Sequence, residues 1–177
     1  MRGNLFSKLS FLIIMLIIAG CQQKKPVSNV TTKNLSLTEK LRLACKKDPS
    51  NINKLIAYGN ECFDTGKHDD AIEAYSKALA LKPNQPKVLI DLGTTYRILG
   101  KPKSAIEYFT KAIEYSPKNI LAHSNRAVVY KYDLREFDQA LKDFKKVMAL
   151  APKKHLLYDY SKNEIVALES ELASAKD

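Results

Sequence analysis

The sequence predicts an all-α fold: a right-handed superhelical stack of about three helical hairpins with a flanking helix at each end. Three observations predict it. Pro49, Pro83, Pro117 and Pro152 recur at intervals of 34, 34 and 35 residues, and a fixed period between 20 and 50 marks a repeat array. Small residues keep step with the prolines: Gly59, Gly93 and Ala127; Gly66 and Gly100; Ala71, Ala105 and, one residue late, Ala140. Larger side chains follow at the same offset, Tyr75, Phe109 and Phe144, and after them Ala78, Ala112 and Val147.

Residues 1–20 stand apart from the array. Arg2 and Lys8 make a positive start, Phe11 to Ile18 form a short apolar core, and Ile18-Ala19-Gly20 lead to Cys21. The apolar run is too short to span a bilayer comfortably, which takes about 20 residues. The segment resembles a bacterial lipoprotein signal peptide with its lipobox. That resemblance implies cleavage before Cys21 and a diacylglyceryl or acyl lipid on its thiol, because one acyl chain binds marginally whereas two or three hold firmly. Residues 21–35 would be the lipidated tether; the stretch after Cys21 is polar and aperiodic, holds Pro26, and reaches about 20 Å as a coil.

Residues 36–51 carry a flanking helix. Ser36 and Glu39 have capping-box spacing, and Leu41, Ala44 and Pro49 fall where a closing helix and its proline belong. Unit one (52–85) places Leu55, Tyr58, Cys62 and Phe63 at helical spacing, breaks at Thr65-Gly66-Lys67, and resumes with Ala71, Ile72, Tyr75, Ala78 and Leu79. Unit two (86–119) repeats this with Leu89, Leu92, Gly93, Tyr96, Gly100, Ala105, Phe109 and Ala112. Unit three (120–154) departs from it. Ala127 replaces the first glycine, Arg135 stands in the turn, and one extra residue lies between Tyr130 and Ala140. Residues 155–177 form a capping helix, for which Ser161 and Glu164 offer a second capping box and Ile165, Leu168 and Leu172 an apolar stripe.

The matched glycines, alanines, aromatics and prolines of 52–154 resemble the tetratricopeptide repeat. The resemblance implies that the first helix of each hairpin lines a concave groove. Its outward positions are Asn53, Ile56, Asn60 and Phe63; Lys87, Ile90, Thr94 and Arg97; and Leu121, Ser124, Val128 and Lys131. The apolar members, bordered by Lys87, Arg97 and Lys131, suit a segment with apolar anchors and some acidic side chains. Some family members clamp a C-terminal carboxylate with paired lysines and asparagines. Asn60 and Asn125 match in part, but Ile56 and Asp91 break that pattern.

The net charge of +10 invites nucleic acid, anionic lipid or acidic protein as partner, but no nucleic-acid motif is present. Cys45 and Cys62 read as buried small hydrophobes rather than a disulfide. His68, His123 and His155 are scattered and read as surface or half-buried residues. Asp69-Asp70 fit a helix start, where the macrodipole favours carboxylates. No catalytic set, phosphate loop or metal-ligand spacing stands out, so the expectation is a non-enzyme without metal or further cofactor.

The resemblances together imply a lipid-anchored interaction scaffold of the bacterial envelope, extracytoplasmic and on the periplasmic face of the outer membrane where two membranes exist. It would bind a protein segment in assembly of an envelope, pilus or secretion complex. A regulatory subunit of a peptidoglycan enzyme shares the same features.

Overall fold

Each helix begins where the sequence supplies partners for its free amide groups. The computed structural model describes residues 35–174; the leader and tether residues 1–34, including Cys21, lie outside the described residues, as do 175–177. Helix α1 (Leu37–Lys47) opens on a complete capping box, Ser36 accepting from the Glu39 amide at 3.2 Å and Glu39 accepting from the Ser36 amide at 3.1 Å. Helix α2 (Ile52–Asp64) is capped by Asn51, which accepts from the Lys54 amide. Helix α3 (His68–Leu81) has no side-chain cap but carries Asp69 and Asp70 in its first turn. Helices α4 (Pro86–Ile98) and α5 (Pro102–Tyr115) start on proline, whose missing N–H costs nothing there. Helix α6 (Ile120–Val128) is capped by Asn119 and runs into a π-helical turn, Val129–Leu134. Helices α7 (Phe137–Leu150) and α8 (Leu156–Ser174) complete the chain.

Among the described residues all regular structure is helical. Helices α2/α3, α4/α5 and α6/α7 form hairpins, each second helix packs on the next first helix, and α1 and α8 cover the two ends. The hairpin core depends on one contact repeated in register. A Cβ on Gly59 would lie 2.6 Å from the Tyr75 ring, and one on Gly93 would lie 2.7 Å from the Phe109 ring. Both rings are about 1% exposed. The glycines at this register therefore seat the aromatic of the partner helix against bare backbone. Ala127 and Phe144, both fully buried, share the corresponding cluster in unit three.

The turns inside the first two hairpins use glycine at positive φ, +74° at Gly66 and +67° at Gly100. Each is closed by an amide three residues past the helix: Lys67 donates to the Cys62 carbonyl at 2.8 Å and Lys101 to the Tyr96 carbonyl at 2.9 Å. In unit three Arg135 takes the same left-handed conformation, φ 57°, at a cost of about 1 kcal/mol or more for an L-residue. There the closing bond runs from the Glu136 amide to the Tyr130 carbonyl at 2.8 Å, one residue longer than in the other turns. The extra residue of the third unit is thus absorbed as a π-helical turn before the turn, not inside it.

One expected helix start is corrected. Ser161 and Glu164 do not cap α8, which begins five residues earlier, where the His155 ring Nδ1 accepts from the Leu157 amide at 3.1 Å. Ser161 is fully buried in mid-helix, and Glu164 instead receives Lys131 and the Tyr132 hydroxyl.

Gly93→Ala and Gly100→Ala separate the two uses of glycine. We expect Gly93→Ala to lose about 1–3 kcal/mol in urea titrations through overpacking against Phe109, despite the helix propensity gained. Gly100→Ala meets open space and should lose only about 1 kcal/mol from its positive φ.

Candidate functional site

The twelve groove positions expected from the sequence do not form one open apolar stripe. Ile90 is 4% exposed and belongs to the core cluster shared by α4, α5 and α6; Ser124 is 3% exposed. Both are core residues, because the helices turn these positions toward their neighbours. Ile56, Phe63 and Val128 are half-buried and lean on core clusters, whereas Asn53 is exposed and Leu121 is 47% exposed. Two of the three expected bordering cations are already engaged. Arg97 makes a two-pronged contact with Asp133, Nε–Oδ2 at 2.6 Å, and Lys131 pairs with Glu164 on α8. Lys87 pairs with Asp91 at 3.1 Å yet keeps a side chain 79% exposed.

Four of the twelve do converge. Asn60 and Phe63 of α2 and Lys87 and Thr94 of α4 line a cavity of about 350 Å³ together with Asp64, Tyr75 and Asp91. The helical period brings them there, since residues three and four apart share a face. The Tyr75 hydroxyl donates to Asn60 Oδ1 at 2.9 Å, so the amide N–H groups are what Asn60 can offer a ligand. Burial pushes the Tyr75 hydroxyl far above the ordinary tyrosine value, which keeps it a neutral donor. Thr94 donates to the Ile90 carbonyl at 2.9 Å and leaves its oxygen as an acceptor. The cleft can therefore pair with a peptide backbone, seat a side chain against Phe63, and present the Asp64 carboxylate beside the Lys87–Asp91 pair. A terminal carboxylate would meet Asp64 and find Lys87 already paired with Asp91. Asp64, Tyr75 and Asp91 were outside the expected set. The Gly59–Tyr75 register could have pointed to Tyr75, and the four-residue step from Lys87 to Asp91.

A second cavity, about 420 Å³, lies among α1, α2 and α3 and is lined by Arg42, Cys45, Leu55, Tyr58, Glu73 and Lys77, among others. Cys45 and Cys62 are both free and buried, and burial raises both thiols, so neither offers a reactive thiolate. Among the described residues no group of three or more His, Cys, Asp or Glu could hold a metal ion.

His123 was expected near the surface and is instead 5% exposed. Its Nδ1 lies 3.0 Å from Asp143 Oδ1 and its Nε2 lies 3.1 Å from the Pro117 carbonyl. Arg126 grips both oxygens of Asp143, at 2.7 and 2.9 Å, and also donates to Thr110. This resembles a catalytic His–Asp pair only in composition: it opens onto neither cavity, and every polar atom in it has a partner. It ties α5, α6 and α7 together. Burial alone would raise the Asp143 carboxyl, but the bonds from Arg126 and His123 outweigh it and hold it below the usual range.

The stacked hairpins and the cleft between their first helices define a helical-repeat scaffold with a binding surface. A profile described as TPR repeat matches residues 59–97, and one described as tetratricopeptide repeat matches 86–119. Residues 59–119, across the first two hairpins, thus match the tetratricopeptide repeat. The chain is 33% identical over 113 residues to human DnaJ homolog subfamily C member 7, covering 62% of this chain and 22% of that protein. It is 32% identical over 116 residues to the barley (Hordeum vulgare) probable UDP-N-acetylglucosamine–peptide N-acetylglucosaminyltransferase SPINDLY, covering 62% of this chain and 12% of that one. The chain thus spans less than a quarter of either relative's length. Among solved structures, the first TPR of Spaghetti (RPAP3) bound to the HSP90 peptide SRMEEVD is 26% identical with a TM-score of 0.63, covering 71% of this chain and 96% of that one.

The lowered Asp143 carboxyl sets a pH dependence. Its contribution to stability is fully present above the unfolded aspartate value near 4 and is lost as pH falls through the lower native value. We expect Asp143→Asn to cost about 3 kcal/mol at neutral pH, because Arg126 loses its partner in a largely buried site. Denaturation of this variant between pH 6 and 3 should show a shallower loss than wild type.

Proposed function

We propose that this protein is a lipid-anchored adaptor of the bacterial cell envelope that receives a segment of a partner protein in the α2/α4 cleft. The cleft carries the reading: Asn60, Phe63, Thr94, Asp64 and the Lys87–Asp91 pair converge on a cavity of about 350 Å³. The peptide held by the Spaghetti TPR supports the mode of binding. The chemistry here differs in kind, because Lys87 is engaged by Asp91 and Asp64 adds a further carboxylate, which favours an internal segment with a backbone to pair and a neutral or basic side chain over a chain end. This revises the acidic partner expected from Arg97 and Lys131, since both are engaged within the protein. The Ile18-Ala19-Gly20-Cys21 sequence supports the anchor and the extracytoplasmic location. Recruitment for envelope, pilus or secretion assembly follows from anchor and cleft together.

Two measurements test this. A photo-crosslinker at Phe63 should capture one specific envelope protein, and Thr94→Arg, which fills the cleft without touching the core, should cut that capture by about tenfold or more; unchanged capture refutes the cleft. Separately, Cys21→Ser should abolish incorporation of labelled palmitate, and persistence of the label refutes the anchor.

A further inference from the structure

The hairpins alternate in direction, so the turns between repeats share one edge of the slab and the turns within repeats share the other. Thr38 at the start of α1 reaches Glu61 near the end of α2 at 3.3 Å, which places the first flanking helix in the same alternation. Helices of 13 or 14 residues separate the edges by about 20 Å.

The inter-repeat edge is strongly basic. Lys46, Lys47, Lys82, Lys118, Lys153 and Lys154 lie on it, all exposed, and none forms an ion pair among the described residues. The carboxylates beside them are fewer: Asp48 is neutralised by Lys54 at 3.1 Å, and Glu114 and Asp159 stand exposed at the neighbouring helix ends. The opposite edge interleaves Lys67, Lys101, Lys103 and Arg135 with carboxylates that include Asp69, Asp70 and Glu136. The asymmetry is therefore a property of one edge and not of the net charge.

Large apolar side chains stand beside these lysines. Leu81 precedes Lys82 and is 47% exposed, Tyr115 ends the helix before Lys118 and is 45% exposed, and Leu156 follows Lys154 and is 80% exposed. Three successive turns thus pair a cation with a side chain that prefers hydrocarbon. A polyanion such as nucleic acid gives the lysines partners but leaves the leucines in water. An anionic bilayer satisfies both, taking the ammonium groups at its phosphates and the apolar tips just below them, with tyrosine suited to the interface.

We propose that the inter-repeat edge is a second membrane contact, one that lays this edge on an anionic lipid surface and leaves the α2/α4 cleft free. It adds to the covalent anchor proposed at Cys21 and does not depend on it.

The test uses the full chain carrying Cys21→Ser, so that no lipid is attached, in sedimentation with vesicles of phosphatidylcholine alone or with about one-third phosphatidylglycerol. Arg2, Lys8, Lys24 and Lys25 outside the array add to the anionic increment equally in every variant, so the difference between variants isolates the edge. Each lysine near the surface is worth about fivefold in partitioning. The triple variant Lys82→Gln, Lys118→Gln, Lys154→Gln should therefore lose about a hundredfold of the increment. The variant Lys67→Gln, Lys101→Gln, Lys103→Gln on the opposite edge should keep it. The chain has no tryptophan, so Leu156→Trp gives a single reporter whose emission should shift to the blue only with anionic vesicles. Circular dichroism checks that each variant keeps its helix content. Equal loss in both triple variants, or an unshifted tryptophan, overturns the proposal, as does binding to heparin without binding to anionic vesicles.

Discussion

Everything in this protein rests on how closely two helices of a hairpin can approach. That distance is set where the ring of Tyr75 or Phe109 lies on the backbone of Gly59 or Gly93, with less than 3 Å to spare for a Cβ. Interiors pack at crystal-like density, so such a contact is stiff and fixes the relative height of the helices. The same contact positions the cleft. Tyr75 reaches Asn60 because its ring is pinned at Gly59, the residue before it, and Asn60 then faces α4 across the next interface. Packing and binding surface are consequences of one steric constraint.

The array was legible in the sequence because its period is carried by residues with a backbone reason to be there: proline closing each unit, glycine at the turns, small residues opposite aromatics. The capping box at Ser36 and Glu39 was legible too, since it is a local contact. The same motif at Ser161 and Glu164 misled, because tertiary burial of Ser161 and the pull of Lys131 on Glu164 outweighed a local pattern. The groove residues were harder to read. A periodic table of outward positions treats all units alike, whereas Ile90 and Ser124 are drawn inward by neighbouring helices. His123 escaped for a related reason: its partners Asp143 and Pro117 lie 20 and 6 residues away, a pairing that no spacing rule announces.

Cations that look available in a sequence can be spent inside the fold. Arg97 reaches Asp133 of the next unit and Lys131 reaches Glu164 of the closing helix. These bonds join successive first helices on the groove side and leave the α2/α4 interface as the more open stretch. Electrostatic character is therefore distributed unevenly: self-neutralised toward the carboxyl end, one carboxylate beyond the Lys87–Asp91 pair at the cleft, basic along the inter-repeat turns. Each region offers a different surface chemistry.

The π-helical turn of unit three has a consequence for modularity. Lys131, Tyr132 and Asp133 sit on the stretch where the surplus residue is stored, and they hold Glu164 on one side and Arg97 on the other. Exchanging this unit for a duplicate of its predecessor would satisfy the repeat consensus, yet it would unfasten both neighbours at once. The three hairpins look interchangeable on paper, but the irregular one is the clasp, and its position in the order is fixed.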